Sequence, residues 1–260
     1  MIYRIKEMKI LQKPTILILV TLTLVALTNN SANAQNAPEF SNDIMMDNQI
    51  QYFLMVDRLE YYNIGGGPFL LDTEGYIGKD LNRFWFGAEA NLLTAEAEGE
   101  VELEGLYGKA ISPYFDLRAG VRYDMAYNAG NIRSRGFAVV GIQGLAPYLF
   151  EVEGNLFVSQ AGHLSAELEG EYDFPITQRL WGQSSVATSI AVQEVPEWGI
   201  GSGFNDIELG FRLRYEIKRE LAPYIGIAWH RKLGTAADYA RAEHSEPGTL
   251  GLVGGLRMWF

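Results

Sequence analysis

The sequence predicts an all-β fold, a transmembrane antiparallel β-barrel of the bacterial outer membrane with about twelve strands. Three observations lead there. Twelve segments alternate apolar and polar residues, as strands do when one face meets lipid and the other a wet interior. A leader at the start of the chain has the charge and hydropathy of an export signal. The final strand, GLVGGLRMWF (251–260), ends on Phe260, the kind of aromatic terminus that barrel-assembly machinery selects, so that machinery is an expected partner.

In chain order, the leader comes first. Arg4, Lys6, Lys9 and Lys13 form a basic region, ILILVTLTLVAL (16–27) an apolar one, and Ala32-Asn33-Ala34 a small-x-small cleavage site. Residues 1–34 are therefore expected to be removed, leaving a chain that begins near Gln35. An apolar run of 12 residues falls short of the about 20 that a spanning helix needs, and no other segment approaches that length. The whole chain carries −11; its leader, with four basic residues and Glu7, contributes +3, so the remainder carries −14. That balance argues against nucleic acid as a partner and suits cations. With no cysteine, a thiolate metal site is excluded.

Residues 35–49 follow as a short periplasmic arm, since QNAPEFSND (35–43) is polar and contains proline. The barrel is expected over 50–260. Strands are predicted at 50–62, 69–79, 83–97, 100–110, 113–125, 135–145, 148–158, 163–174, 178–192, 204–216, 221–232 and 249–260, each near the length needed to cross a bilayer at a tilt. Four show the pattern most cleanly. In 115–123, Phe115, Leu117, Ala119, Val121 and Tyr123 oppose Asp116, Arg118 and Arg122. In 148–158, Phe150, Val152, Leu156 and Val158 oppose Glu151, Glu153 and Asn155. Segment 164–174 sets Leu164, Ala166, Leu168, Tyr172 and Phe174 against Glu167, Glu169, Glu171 and Asp173. Segment 205–217 sets Ile207, Leu209, Phe211, Leu213 and Tyr215 against Asp206, Glu208, Arg212 and Arg214. Inside a narrow barrel these acidic and basic rows would face one another and pair.

Links at 80–82, 111–112, 146–147, 175–177 and 217–220 are tight, two of them holding Pro147 and Pro175. Those at 63–68, 126–134, 193–203 and 233–248 are looser, while 98–99 and 159–162 are short. Short turns at one end and longer loops at the other are the outer-membrane arrangement, which puts both termini in the periplasm. A ring of twelve lies between the filled barrel of eight and the open channel of sixteen, so its lumen is either plugged or narrow.

The chemistry-bearing residues are sparse. Three histidines occur, His163, His230 and His244, and no G-x-S-x-G nucleophile elbow; Ser202 in GIGSGF (199–204) fits a flexible turn. An enzyme is not expected. Metal binding is the sharper reading: thioethers and imidazoles suit copper, a soft ion as Cu(I). Met45, Met46 and Asp47 adjoin the barrel, and His230 falls on the polar face of 221–232, so these four are the candidate copper ligands. The competing reading of the methionines, Met55 and Met125 included, is ordinary packing.

MDNQIQYFLMVDRLEY (46–61), KAISPYFDLRAGVRYD (109–124), GIQGLAPYLFEVEG (141–154), EGEYDFPITQRL (169–180) and VPEWGIGSGFNDIELGFRLRYEIKRELAPYIGIAWHRKLG (195–234) resemble the copper resistance protein B family of Gram-negative outer membranes. The likeness runs from Met46 to Phe260. It implies a barrel that binds copper ions and helps sequester or export them, alongside a periplasmic multicopper oxidase. Many members carry a Met- and His-rich N-terminal region and a histidine just before Met-Asp-Asn-Gln; here that position is Met45 and the arm has no histidine. A general narrow pore or structural barrel without copper specificity is the alternative.

Overall fold

The computed structural model describes residues 49–63, 67–93, 98–128, 131–242 and 244–260. The leader, residues 35–48 of the arm and the candidate ligands Met45, Met46 and Asp47 lie outside the described residues. Among the described residues, twelve strands build the ring: β1 (Gln51–Tyr62), β2 (Pro68–Lys79), β3 (Asn82–Leu93), β4 (Glu98–Ser112), β5 (Phe115–Asn128), β6 (Asn131–Ala146), β7 (Phe150–Ser159), β8 (Leu164–Pro175), β9 (Leu180–Ala191), β10 (Asp206–Tyr215), β11 (Leu221–Lys232) and β12 (Gly248–Trp259). Each pairs antiparallel with its neighbour in the chain, and β12 pairs with β1, so no sheet edge is left open. The seam is stitched to the last residue: Phe260 N–H donates to Leu54 O at 2.8 Å and Leu54 N–H donates to Phe260 O at 3.3 Å. No helix among the described residues is long and apolar enough to cross a membrane.

The distribution of side chains is inside out. Val121 is 65% exposed, while Arg118 and Arg122 beside it on the other face of β5 are buried at 3% and 7%. Ile225, Leu250, Leu168 and Leu209 are likewise exposed, and Glu60, Asp124, Arg212 and Arg214 are buried. Only an apolar medium around the ring makes this arrangement favourable, because it keeps hydrocarbon off water and charge off lipid. At the end with the short turns, exposed Tyr52, Phe84, Tyr107, Tyr114, Tyr148 and Tyr215 form an outer aromatic girdle of the kind found at a membrane interface.

Four departures from the sequence-based expectation have physical causes. In β1 the register shifts between Val56 and Leu59, so Asp57 and Arg58, adjacent in sequence, both face inward: Asp57 meets Arg257 and Arg58 meets Asp72. This bulge lets one strand present two successive charges to the lumen without exposing either to lipid. The expected loose link at 126–134 is nearly absent, because β5 and β6 continue pairing to Asn128 and Asn131. Strand β3 ends at Leu93 and β4 begins at Glu98, so the turn expected at 98–99 lies earlier. Within 233–248, α1 (Gly234–Ala242) forms; Gly234, at φ +50, leaves the strand, and Ala236, Ala237 and Ala240 are small enough to bury closely.

The expected consequence of the inside-out arrangement is that Val121→Arg, near the middle of β5, destabilises the barrel by about 2–4 kcal/mol. Unfolding by urea in lipid vesicles checks it, with Leu117→Arg, on the same lipid-facing row but nearer the strand end, costing less.

Candidate functional site

The strand pattern concentrates charge in the lumen, and the lumen is the candidate site. Its turn end is floored by aromatic rings: Phe53 stacks on Tyr76 at 5.6 Å, Tyr76 lies 4.9 Å from Trp85, and Trp259 sits 6.4 Å from Phe53. Arg83 covers Tyr76 and pairs with Asp116 at 3.3 Å. Beside the rings, Arg257 contacts Asp57 at 2.8 Å and Asp173 at 3.7 Å, Arg214 joins Asp173 at 2.6 Å, and Met55 Sδ accepts from Arg257 at 3.4 Å. Met55 is thus a packed hydrogen-bond acceptor.

Above the floor, arginines cross the lumen. Arg212 of β10 donates to both carboxylate oxygens of Glu60 on β1, at 2.5 and 3.2 Å, and neither side chain is more than 2% exposed. Arg58 of β1 meets Asp72 at 2.9 Å and lies 3.9 Å from both Glu89 and Glu208, tying β1 to β2, β3 and β10. Arg118 of β5 bridges Glu74 and Glu153 and lies over Trp85. Nearer the loop end, Arg122 meets Glu102 at 2.5 Å, Asp124 at 2.7 Å and Glu167 at 2.9 Å, and caps the ring of Phe157 at 4.8 Å. Such pairs hold position more than they add stability, since each desolvated charge offsets much of the attraction; removing one partner is what costs.

Between these braces lies a cavity of about 690 Å³. Eleven carboxylates line it (Asp72, Glu74, Glu89, Glu100, Glu102, Glu104, Glu153, Glu167, Glu169, Asp206 and Glu208) against three guanidiniums, those of Arg58, Arg118 and Arg122. Among the described residues, four of them, Glu100, Glu104, Glu169 and Asp206, form no salt bridge within 4 Å, Asp206 instead accepting from the backbone N–H and the hydroxyl of Ser189. Acids in such excess, walled by a low-dielectric barrel, focus a negative potential that concentrates cations. His230 also lines this cavity, and in the ladder it sits directly across from Glu208 on one side and Thr249 on the other. His163 and His244 lie in loop-end connections, as expected. Among the described residues no three His, Asp or Glu side chains converge as a ready-made metal cage.

Of the four sequence-predicted ligands, then, the structure places His230 in the cavity wall, and the other three precede the described residues. The bracing arginines were legible only as polar positions of a strand. Many of their partners, such as Glu60 for Arg212, Glu74 for Arg118 and Glu167 for Arg122, lie three strands away in the ring, a distance that alternation does not encode.

Comparison with known proteins agrees with the geometry. Residues 50–260 match the family model for copper resistance protein B precursor. Copper resistance protein B of Escherichia coli is 39% identical over 215 residues, covering 82% of this chain and 71% of that protein. The copper resistance protein B homolog of Pseudomonas syringae pv. tomato is 36% identical over the same shares. Among solved structures, the NanC porin superposes with a TM-score of 0.50 at 12% identity, over 80% of this chain and 99% of that one, a likeness of fold alone.

The buried pair and the unpaired acids should behave oppositely. Glu60→Gln is expected to lose about 3–5 kcal/mol by leaving Arg212 without a counter-charge, whereas Glu169→Gln relieves acid crowding and is expected to be neutral or stabilising. Denaturant unfolding of both variants at pH 7 measures the difference.

Proposed function

Because the chain belongs to the copper resistance protein B family of outer-membrane barrels, we propose that its lumen is the copper-handling element, binding copper ions and helping sequester or export them. The observation that carries this reading is the excess of carboxylates facing the central cavity. They supply attraction without choosing among cations. Choice falls to softer donors: the imidazole of His230 in the cavity wall and, on the arm, the thioethers of Met45 and Met46 beside Asp47. In this scheme the arm receives Cu(I) on the periplasmic side and the lumen holds or passes the ion outward. The four donors take copper as cargo, and a periplasmic multicopper oxidase is the partner that would work beside them. No catalytic constellation is needed, and the barrel is read as non-enzymatic.

A strain lacking the protein tests this reading. Selective sensitivity to copper, with zinc and antibiotic tolerance unchanged, is expected, and the restored wild-type gene should correct it. Restoration with Met45→Ser, Met46→Ser and His230→Ala combined should recover the barrel in the membrane but not full copper tolerance. Equal sensitivity to every stress would instead favour a general pore or an envelope-integrity role.

A further inference from the structure

The loop end of the barrel carries a device that the copper reading does not use. Segment 192–205 leaves β9 and turns back over the lumen as a small hairpin, in which Val195 and Ile200 exchange backbone hydrogen bonds at 2.8 and 3.2 Å. Its tip is the 3₁₀ turn Pro196–Trp198, ended by Gly199 at φ +64. Trp198 reaches β6, where the guanidinium of Arg135 lies 4.1 Å and that of Arg133 5.3 Å from the ring centre. Arg133 also donates to the carbonyl of Glu197. A chamber of about 210 Å³ lies beneath, walled by Trp198 and Ile200 above and by Glu102, Arg135 and Lys232 from well-separated strands. The hairpin therefore roofs the lumen instead of standing clear of it.

Behind the tip, the hairpin leans on α1. Gly201 lies so close to Thr235 and Ala236 that a Cβ there would come within 2.7 Å of both, and its N–H donates to Asn205 Oδ1 at 2.6 Å. Gly203, at φ +86 with open space around it, supplies a backbone freedom that other residues lack. Gly203 pairs with Ala191 on β9, and Phe204 with Ile190, so the returning end of the hairpin is anchored to the barrel and any swing of the tip is confined to the residues ahead of that pairing.

We propose that the hairpin tip, residues 195–200, is a lid over the outer mouth, anchored behind by the pairing of Gly203 and Phe204 with β9, latched by Trp198 on Arg133 and Arg135 and coupled to the lumen charges. The coupling is physical: Arg135 pairs with Asp124 at 3.3 Å, and Asp124 with Arg122 at 2.7 Å, which in turn holds Glu102 and Glu167. Arg135 thus has two tasks, stacking on the latch and neutralising a buried carboxylate. A change of charge among these carboxylates moves the same guanidinium that holds the lid. Cation–π contacts of this kind are individually modest, so a latch built on them opens thermally and is readily biased.

The absence of cysteine makes the test clean. In Ala187→Cys, whose side chain sits in the central cavity, the rate of labelling by a membrane-impermeant thiol reagent added outside intact cells reports access past the lid. Adding Trp198→Ala is expected to raise that rate about tenfold, and adding Asp124→Asn should raise it severalfold by freeing Arg135. Heat-modifiable gel mobility confirms that each variant is folded. Unchanged labelling in a folded Trp198→Ala barrel would overturn the lid, and acceleration by Trp198→Ala with none by Asp124→Asn would overturn its coupling to the lumen.

Discussion

Hydrocarbon outside forces charge inside, and the rest of the molecule follows from that constraint. Every second residue of each strand must be acceptable to lipid, so the acids and arginines of the strands share a lumen only twelve strands around. In that space they cannot all be solvated, and they must answer one another. Arg212 with Glu60, and Arg58 with Asp72, Glu89 and Glu208, are the outcome: cross-braces that fix side chains in an interior with no packed apolar core of the ordinary kind. The small apolar cluster of Leu106, Phe137, Val139 and Phe157 is the exception, and even there Arg122 lies against the rings.

What the braces leave over is an imbalance. Arginines satisfy part of the acidic wall, and the remainder face the cavity without a counter-charge. Uncompensated carboxylates in low dielectric are costly as charges, and either proton uptake or mobile cations offset that cost. The cavity they line lies beside an aromatic floor and has an imidazole, that of His230, in its wall.

The sequence made the barrel legible because period two is a local signal, set by what touches each face. All twelve strands lie where alternation puts them, with ends displaced by a few residues. The departures arise where tertiary geometry overrides the local pattern. Asp57 and Arg58 form a bulge, and the adjacent pair of charges between lipid-facing Val56 and Leu59 was the readable sign of it. Helix α1 has no broad apolar stripe; its three alanines bury because the hairpin tail with Gly201 comes close, a contact made only in the folded chain. His230 was legible from its register. Glu208 and Thr249 beside it sit on the adjacent strands, but the acids of β2 to β8 across the cavity were not legible, since they come from strands far apart in the chain.

Crystals of the barrel soaked in copper and measured at the copper absorption edge test the central claim most directly. Anomalous density inside the cavity, beside His230 and Glu208, is the expected result, and it should weaken in His230→Ala. Anomalous density confined to the outer surface, with none in the lumen at saturating copper, would contradict a lumen that handles the ion.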